Sequence, residues 1–497
     1  MHKGGHGLLQ SIREMLRSFE DKNIDYCHWK SNANLEVSLN GDEDLDMIFR
    51  FEQKNDIEMI LNQHGLKRFR STSHMQYNGI EDFIGFDKST AKIWHLHLHY
   101  RLSLGEKHLK GYTVPWINHI LNNRIYNSKF EIYHSRPEDE YSLLLLRIAL
   151  KLRWRDWARK IDIDDIKEIN WLEERTENKQ VLENVKYLLG NDVAEEFSKL
   201  LRRNPVYKKD FIRIQRKLRR SMKQFTYYNN VTSYFMRTSR EVLWLLTGIS
   251  KRINNSSLKP KRRVSPSGGS VVAIIGCDGA GKSTTLKYLK KEFGKKIDVS
   301  NIYLGSGDGS SSLLRYPMRL VARKVGGKGL GRSVKNNNKD SKKSTFKAKL
   351  YSAAKVIWAI TLAIEKKNKL KKITKARNNG ILVLADRYPQ IDVKGFNDGP
   401  LLYNYKYSRS KLLRNLVKWE ESIYKKAYIN PPDLVIKLMI TPEIAVKRKP
   451  EMTTSEVISK IEAVKKINLS SNISEIDTSK DKIKSYGEVM EEIWRVI

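Results

Sequence analysis

A strand, a glycine-rich loop and a helix follow one another directly at residues 271–293, and this order constrains the fold more than any other feature. Val271–Ile275 reads VVAII, an apolar run typical of a buried strand, and Thr284–Phe293 has a helical pattern. Between them, Gly276–Ser283 fits the spacing G-x-x-x-x-G-K-[ST]. A buried strand that passes through such a loop into a helix predicts an α/β domain with a parallel sheet.

The residues of this loop suit the binding of phosphate groups. Glycines let backbone N–H groups approach phosphate oxygens, and the N-terminus of the next helix adds partial positive charge. Lys282 can reach β- and γ-phosphates and Ser283 can ligate Mg²⁺, so we predict ATP and Mg²⁺ as cofactors. The predicted nucleotide-binding residues are Gly276, Asp278, Gly279, Ala280, Gly281, Lys282, Ser283 and Thr284.

A second motif lies at the end of a later apolar strand. Ile381–Ala385 leads directly into Asp386, Arg387 and Tyr388. A parallel sheet presents its chemistry at this end of its strands. Asp386 can hold Mg²⁺ or orient an acceptor hydroxyl, and Arg387 can clamp a phosphate.

Together these motifs resemble those of thymidylate kinases. The resemblance covers residues 270–497 and includes the loop, Asp386–Tyr388 and Pro431–Glu451. It implies a three-layer P-loop NTPase fold with a parallel sheet and transfer of the ATP γ-phosphoryl group. It also implies that Asp278 faces the acceptor's sugar, that Arg387 holds the acceptor phosphate and that Arg448 begins a lid. The predicted catalytic residues are Lys282, Asp386, Arg387 and Arg448.

Two segments depart from that family. Residues 449–480 contain no arginine, only lysines such as Lys449, Lys460, Lys465 and Lys466, and lysine cannot form a planar bidentate clamp. Ile302–Pro317 differs from the family's acceptor loop. The acceptor therefore stays open between dTMP and another small molecule, such as a sugar or other precursor in surface-polysaccharide synthesis. An NTPase that uses ATP as a conformational switch is the alternative from another class.

The N-terminal half carries a different constellation. Trp29–Asn32 precedes Asp44 and Asp46, which stand two positions apart on a predicted strand and so share one face. Two carboxylates so placed can share a divalent metal with triphosphate oxygens. The pattern resembles the nucleotidyltransferase fold, which implies an α+β domain, here with a helical appendage, and metal binding by Asp44 and Asp46.

A histidine-rich strand is predicted at Trp94–Leu102, where the nucleotidyltransferase resemblance places its third acidic position at His97. Four interpretations are open. The domain can be a degenerate module for recognition, or an active nucleotidyltransferase with unusual metal ligands that acts on a sugar or other precursor. His95, His97 and His99 can instead bind Zn²⁺ or Mn²⁺, or belong to a hydrogen-bonded, half-buried strand.

Positive charge is concentrated in two segments of a chain whose net charge is +37. Residues 202–263 hold 18 Lys or Arg against two acidic residues, and residues 319–377 hold 19 against two. An anionic partner, either nucleic acid or anionic lipid, is one interpretation, and a solvated linker is the other. The two cysteines, at positions 27 and 277, exclude a disulfide framework and a zinc module.

The same patterns divide the chain into four parts. We predict a nucleotidyltransferase-like domain at 1–135, a helical appendage at 136–201, a basic helical linker at 202–267 and the P-loop domain at 268–497. Pro137 followed by acidic residues predicts a helix start, and Gly326–Ser344 predicts a mobile loop. The lack of a long apolar run or a signal peptide favours a cytoplasmic protein, and a homodimer stays open.

Overall fold

The computed structural model describes residues 8–106, 108–152, 162–202, 208–253, 258–305, 345–394 and 399–497. The chain forms two compact units, Met1–Asn255 with Lys261–Arg263, and Ser256–Pro260 with Val264–Ile497. Gly326–Ser344 and most of Ile302–Pro317 lie outside the described residues. The predicted four-part division stays a prediction.

The first unit contains an eight-stranded mixed sheet and a separate two-stranded ribbon, β6 and β7. The strands are β1 Tyr26–His28, β2 Asp44–Phe49, β3 Lys67–Ser71, β4 Ile80–Asp87, β5 Lys92–His99, β6 Leu102–Leu104, β7 Tyr112–Val114, β8 Ile125–Asn127, β9 Ile132–His134 and β10 Arg263–Val264. The sheet order is β10-β3-β4-β5-β2-β1-β9-β8, where β10 contributes Arg263 from this unit. Strands β2 and β5 run parallel, which places the Asp44–Asp46 segment beside the histidine strand.

The predicted strand Trp94–Leu102 is two strands. Strand β5 ends at His99, and β6 begins at Leu102 and pairs with β7 in a separate ribbon. Tyr100 and Arg101 lie between them, and the Tyr100 amide donates to Gly79 O, next to β4. The side chains of β6 enter a core formed with the following helices.

Helices pack on this sheet through apolar stripes. Helix α1 buries Ile12, Met15, Leu16 and Phe19, at the three- and four-residue spacing of one helix face. The helices of the first unit are α1 Gln10–Asp21, α2 Leu35–Leu39, α3 Lys54–Gln63, α4 Ile117–Asn122, α5 Pro137–Lys151, α6 Ile163–Glu173, α7 Asn178–Leu189, α8 Asn191–Leu201, α9 Lys208–Ser221 and α10 Asn230–Ile253. Helix α5 begins at Pro137 as predicted, because proline fits the first helical position and acidic residues follow it.

The second unit is built on a five-stranded parallel sheet. Its strands are β11 Val271–Gly276, β12 Val299–Tyr303, β13 Leu382–Asp386, β14 Leu434–Met439 and β15 Ile473–Asp477, in the order β12-β13-β11-β14-β15. Its helices are α11 Lys282–Lys296, α12 Thr345–Asn378, α13 Lys411–Ile429, α14 Pro442–Arg448, α15 Thr454–Lys466 and α16 Lys482–Val496. Strand β11, the first of this sheet along the chain, lies at its centre. All four strand pairings are parallel, so the predicted parallel sheet is confirmed.

The sheet order creates a switch point beside β11. One neighbour, β13, leads toward one edge of the sheet and the other, β14, leads toward the opposite edge. Ligands of open parallel sheets bind outside the carboxyl ends of the strands at such a point. Across the described ranges, no helix is long and apolar enough to cross a membrane.

Candidate active site

The glycine-rich loop joins the carboxyl end of β11 to the first residue of α11. Gly279 and Gly281 have φ values of 87° and 86°, a left-handed conformation that glycine adopts without a steric penalty. At Gly279 a Cβ atom would also lie 3.1 Å from Ala445 O. Both the backbone conformation and the limited space therefore favour glycine at position 279.

Lys282 begins α11 and turns back over the loop. Its Nζ donates to Gly276 O at 3.0 Å and to Cys277 O at 2.8 Å. The side chain is buried, and burial together with the nearby Arg387 charge lowers its pKa. The loop carbonyls thus hold the ammonium group at the place where the motif presents it to phosphate.

Asp386 and Arg387 stand at the end of β13, next to the loop strand. Asp386 is directly opposite Ile274 of β11, and the Arg387 amide donates to Ile274 O at 3.0 Å. Arg387 has a φ of 67°, which is costly for a residue with a side chain. The sheet therefore brings the two sequence motifs together, and the second one ends in a strained turn.

Asp278 lies between two cations. Lys460 Nζ is 2.6 Å from its Oδ2 and Arg387 is 3.5 Å from its Oδ1. Burial pushes the pKa of Asp278 up, but the hydrogen bond and charge of Lys460 and the charges of Lys282 and Arg387 outweigh burial and lower it. Asp278 is consequently an anion held in place beside the loop.

Arg448 is the last residue of α14 and contacts the loop from another side. Its guanidinium donates to Gly279 O at 3.2 Å and to Thr478 O at 3.0 Å. Sequence analysis placed this residue at the entry of a lid. The helix that follows, α15, is the one that carries Lys460.

These groups line a single cleft of about 1140 Å³. Every predicted site residue of the second unit lines it except Gly276, whose carbonyl instead accepts from Lys282. The predicted residues on its wall are Asp278, Gly279, Ala280, Gly281, Lys282, Ser283, Thr284, Asp386, Arg387 and Arg448.

The sequence did not indicate four further residues of this cleft. Tyr303, Leu362, Lys366 and Leu401 line it, and Lys366 is buried with its Nζ 3.0 Å from the Tyr424 hydroxyl. Lys366 stands in a lysine-rich run of α12, where the sequence offers no signal that separates it from its exposed neighbours. Tyr303 ends β12 opposite Asp386 of β13, a pairing that only the folded sheet reveals.

The first unit brings the predicted carboxylates next to the histidine strand. Asp44 lies opposite His95, and their Oδ1 and Nδ1 atoms are 2.9 Å apart. Arg263 bridges Asp44 at 3.2 Å and Asp82 at 2.9 Å, and His95 also contacts Asp82. Asp44 is therefore part of an ion-paired cluster.

Asp46 has partners of its own. Its Oδ1 accepts from His97 at 2.8 Å, from His99 at 3.1 Å and from Lys30 at 2.9 Å. Within the described ranges, Asp46, His97 and His99 form a group whose potential ligand atoms all lie within 4.8 Å, and Asp44 lies outside it. Metal binding by Asp44 and Asp46, and the nucleotidyltransferase resemblance, stay predictions.

The Trp29–Asn32 segment is fixed by buried hydrogen bonds. Asn32 donates its amide and side-chain N–H groups to Glu140 at 2.9 and 2.6 Å, and its Oδ1 lies 2.6 Å from His28 Nδ1. Ser31 adopts a left-handed conformation with φ 57°. Glu140, on α5, is the partner that the sequence did not reveal, because it is more than a hundred positions away.

The second unit, with its glycine-rich loop at the switch point of a parallel sheet, is a P-loop α/β unit. No family model matches the chain. It is 32% identical over 196 residues to the uncharacterized ATP-binding protein YghS of Escherichia coli K12, which covers 38% of this chain and 78% of YghS. The chain therefore belongs to the family of YghS.

Further similarity extends to a second relative and to solved structures. The uncharacterized ATP-binding protein YghR of E. coli K12 is 28% identical over 258 residues, covering 49% of this chain and 91% of YghR. Thymidylate kinase from Ehrlichia chaffeensis aligns with 45% of this chain and 98% of its own, at 15% identity and a TM-score of 0.23. Thymidylate kinase from Candida albicans aligns with 46% of this chain and 91% of its own, at 16% identity and a TM-score of 0.25.

Proposed function

We propose that the second unit transfers the γ-phosphoryl group of ATP to a small acceptor. One observation carries the proposal: the glycine-rich loop and Asp386–Arg387 line the same cleft at the switch point of one parallel sheet. The relatives YghR and YghS are both called ATP-binding proteins, which supports ATP as the donor.

The loop forms the donor side of the site. Lys282 exchanges its two carbonyl partners for phosphate oxygens and neutralises charge on the transferring group. Arg448 and Lys460 add positive charge from α14 and α15. Lys460 would attract phosphate through its charge alone, whereas an arginine could also form two parallel hydrogen bonds with it.

Ser283 and Asp386 fit a magnesium ion. Both line the cleft, and hydroxyl and carboxylate oxygens are the donors that Mg²⁺ accepts. When bound there with ATP, Mg²⁺ would offset negative charge on the phosphates.

The acceptor side is formed by Arg387 and by Asp278 of the loop. Arg387 holds an anionic group of the acceptor, and the Asp278 carboxylate, fixed by Lys460, accepts a hydrogen bond from an acceptor hydroxyl. Tyr303, Leu362 and Leu401 offer an apolar wall for a ring. Nucleoside monophosphates, dTMP first among them, have all three features, and sugar-containing precursors are the second class.

The fate of the γ-phosphoryl group tests this proposal. The full chain is incubated with Mg²⁺ and γ-labelled ATP, against separate nucleoside monophosphates and sugars, and the products are separated by chromatography. Label in dTDP identifies dTMP as acceptor. Label in another compound supports phosphoryl transfer and identifies that compound as the acceptor.

Label found only in free phosphate, at a rate that no acceptor changes, contradicts the proposal. That result supports the ATP-driven switch instead, because water is then the acceptor. The Lys282→Ala variant is the control for contaminating kinases, since transfer that it retains at the wild-type rate does not come from this loop.

A further inference from the structure

The second half of α10 exposes an unusual amount of apolar surface. Val242, Leu243, Trp244, Leu245, Leu246 and Ile249 have between 42% and 57% of their surface accessible. Residues 242–250 contain no charged side chain. The surface of a soluble protein rarely presents so many large apolar side chains together, so this end of the helix indicates a binding surface.

The apolar side chains point in all directions around the helix axis. Five consecutive residues, Val242–Leu246, are exposed, and five successive positions at 3.6 residues per turn cover the whole circumference. A protein partner or a second copy would cover one face of such a helix. The Trp244 ring packs 5.6 Å from the His108 ring, but all five side chains keep at least 42% of their surface exposed. Exposure around the helix matches a surrounding apolar medium, namely the hydrocarbon region of a bilayer.

The length of the apolar segment agrees with insertion into one leaflet. Residues 242–249 span about 12 Å at 1.5 Å per residue, less than half of a hydrocarbon core of about 30 Å. Tyr234 and Trp244, exposed on the same helix, belong to the residue types that favour the boundary between lipid and water.

The first half of α10 is attached to the folded unit. Arg237 forms an ion pair with Glu106 at 3.0 Å, and Arg240 donates to His108 O at 3.1 Å. The apolar end is therefore carried by an anchored helix.

Positive charge is concentrated in the segment of the chain that contains this helix. On α9, the exposed side chains include Lys209, Arg213, Arg216 and Arg220, and residues 202–263 have 18 basic residues against two acidic ones. Each Lys or Arg that lies near an anionic leaflet adds to the electrostatic attraction. This charge selects a membrane with anionic lipid over a neutral one.

We propose that α10 inserts its apolar end into one leaflet of an anionic phospholipid membrane, with α9 supplying charge at the surface. This site is separate from the phosphoryl-transfer site, and neither proposal depends on the other.

Flotation of the full chain with vesicles tests the site. Vesicles of phosphatidylcholine with 30% phosphatidylglycerol are compared with phosphatidylcholine alone, in low salt and in 0.5 M NaCl. The test variant carries Leu243→Ser, Leu245→Ser and Leu246→Ser. Its matched control carries three exposed apolar substitutions elsewhere, Ile163→Ser, Tyr187→Ser and Ile429→Ser.

We expect the wild type and the control to float with the anionic vesicles, and the test variant to bind at least tenfold less. Binding should fall severalfold on neutral vesicles and in high salt. Equal flotation of the test variant and the control would overturn the proposal, as would a wild type that does not bind anionic vesicles.

A second readout does not depend on the triple variant folding. Brominated lipid acyl chains quench tryptophans within the bilayer, so the wild type should lose more fluorescence than Trp244→Phe. Equal loss in the two proteins would contradict insertion. Self-association that the triple substitution abolishes, with vesicle binding intact, would assign this surface to a second copy and overturn the proposal.

Discussion

Lys460 holds a carboxylate oxygen of Asp278 at 2.6 Å, although the sequence marked it only as a lysine where an arginine would be expected. We predict that Lys460→Ala weakens ATP binding about tenfold, which corresponds to about 1.4 kcal/mol. The reason is that the Asp278 charge is then less compensated next to the phosphates. Titration calorimetry with ATP and Mg²⁺ measures the effect.

The matched control for this prediction is Lys466→Ala, which removes an exposed lysine from the same helix and should leave the affinity unchanged. Lys460→Arg retains the charge and should lose less affinity than Lys460→Ala. If Lys460→Ala and Lys466→Ala bound ATP equally, Lys460 would have no part in the site.

Some residues of the candidate site could be predicted from the sequence and others could not. The positions of Lys282, Ser283 and Asp386 follow from local motifs, because a strand, a loop and a helix fix them within a few residues. Lys366 and Glu140 could not be found in this way. Each acquires its role from partners 58 and 108 positions away, Tyr424 and Asn32 respectively.

At the scale of elements, the turn after β13 carries a proposed site residue, Arg387, in a strained backbone conformation. Arg387 adopts a φ of 67°, which only glycine adopts freely. We predict that Arg387→Gly is about 1 kcal/mol more stable than Arg387→Ala, since alanine retains the left-handed penalty. Both variants should lose phosphoryl transfer to the same extent, because both lack the guanidinium.

Chemical denaturation of the two variants, paired with the transfer assay, checks this prediction. Equal stabilities would show that the backbone at position 387 relaxes after substitution. A Gly variant that kept transfer would remove Arg387 from the proposed acceptor site.

Element boundaries followed from the sequence where local signals were strong. The run Val271–Ile275 became β11, and Pro137 with the acidic residues after it became the start of α5. The histidine strand was predicted too long, because nothing local in Tyr100–Arg101 reveals that β6 pairs with β7 instead of extending β5. Strand pairing is a tertiary property that a strand's own sequence does not encode.

For the whole molecule, a buried carboxyl group in the first unit predicts a pH-dependent stability. Burial, with a further contribution from the charge of Glu168, raises the pKa of Glu140 from 4.5 to about 7. Between these values the folded protein holds a proton that the unfolded chain releases. Stability should therefore fall as pH rises from about 4.5 to about 7 and change little above that.

Comparison with Glu140→Gln isolates this effect, since glutamine stays neutral at every pH. We expect the wild type to lose stability relative to the variant between pH 5 and pH 8, by on the order of 1 to 3 kcal/mol. Thermal unfolding of the two proteins across this range measures the difference, and Glu138→Gln on the same helix is the control. A difference independent of pH would mean that Glu140 is charged throughout.

The two units differ in how far their functions follow from sequence. In the second unit the motifs converge on one cleft, so the fold and the candidate site support the same chemistry. In the first unit, Asp44 and Asp46 contact basic and histidine side chains. The ion pairs of Asp46 with Lys30 and of Asp44 with Arg263 are seen only in the structure. Those two residues lie far from the carboxylates in sequence or on another element, which is why the motif did not reveal them.

The most direct measurement is the single-turnover transfer of labelled γ-phosphoryl by the wild type, Lys282→Ala and Lys287→Ala, using the acceptor with the highest rate in the panel. Lys287 is an exposed lysine of the same helix and lies outside the cleft. We predict that Lys282→Ala reduces the rate about 10²- to 10³-fold, because it removes a charge that stabilises the transition state. Lys287→Ala should match the wild type. Equal rates for all three proteins would contradict the assignment of phosphoryl transfer to this loop.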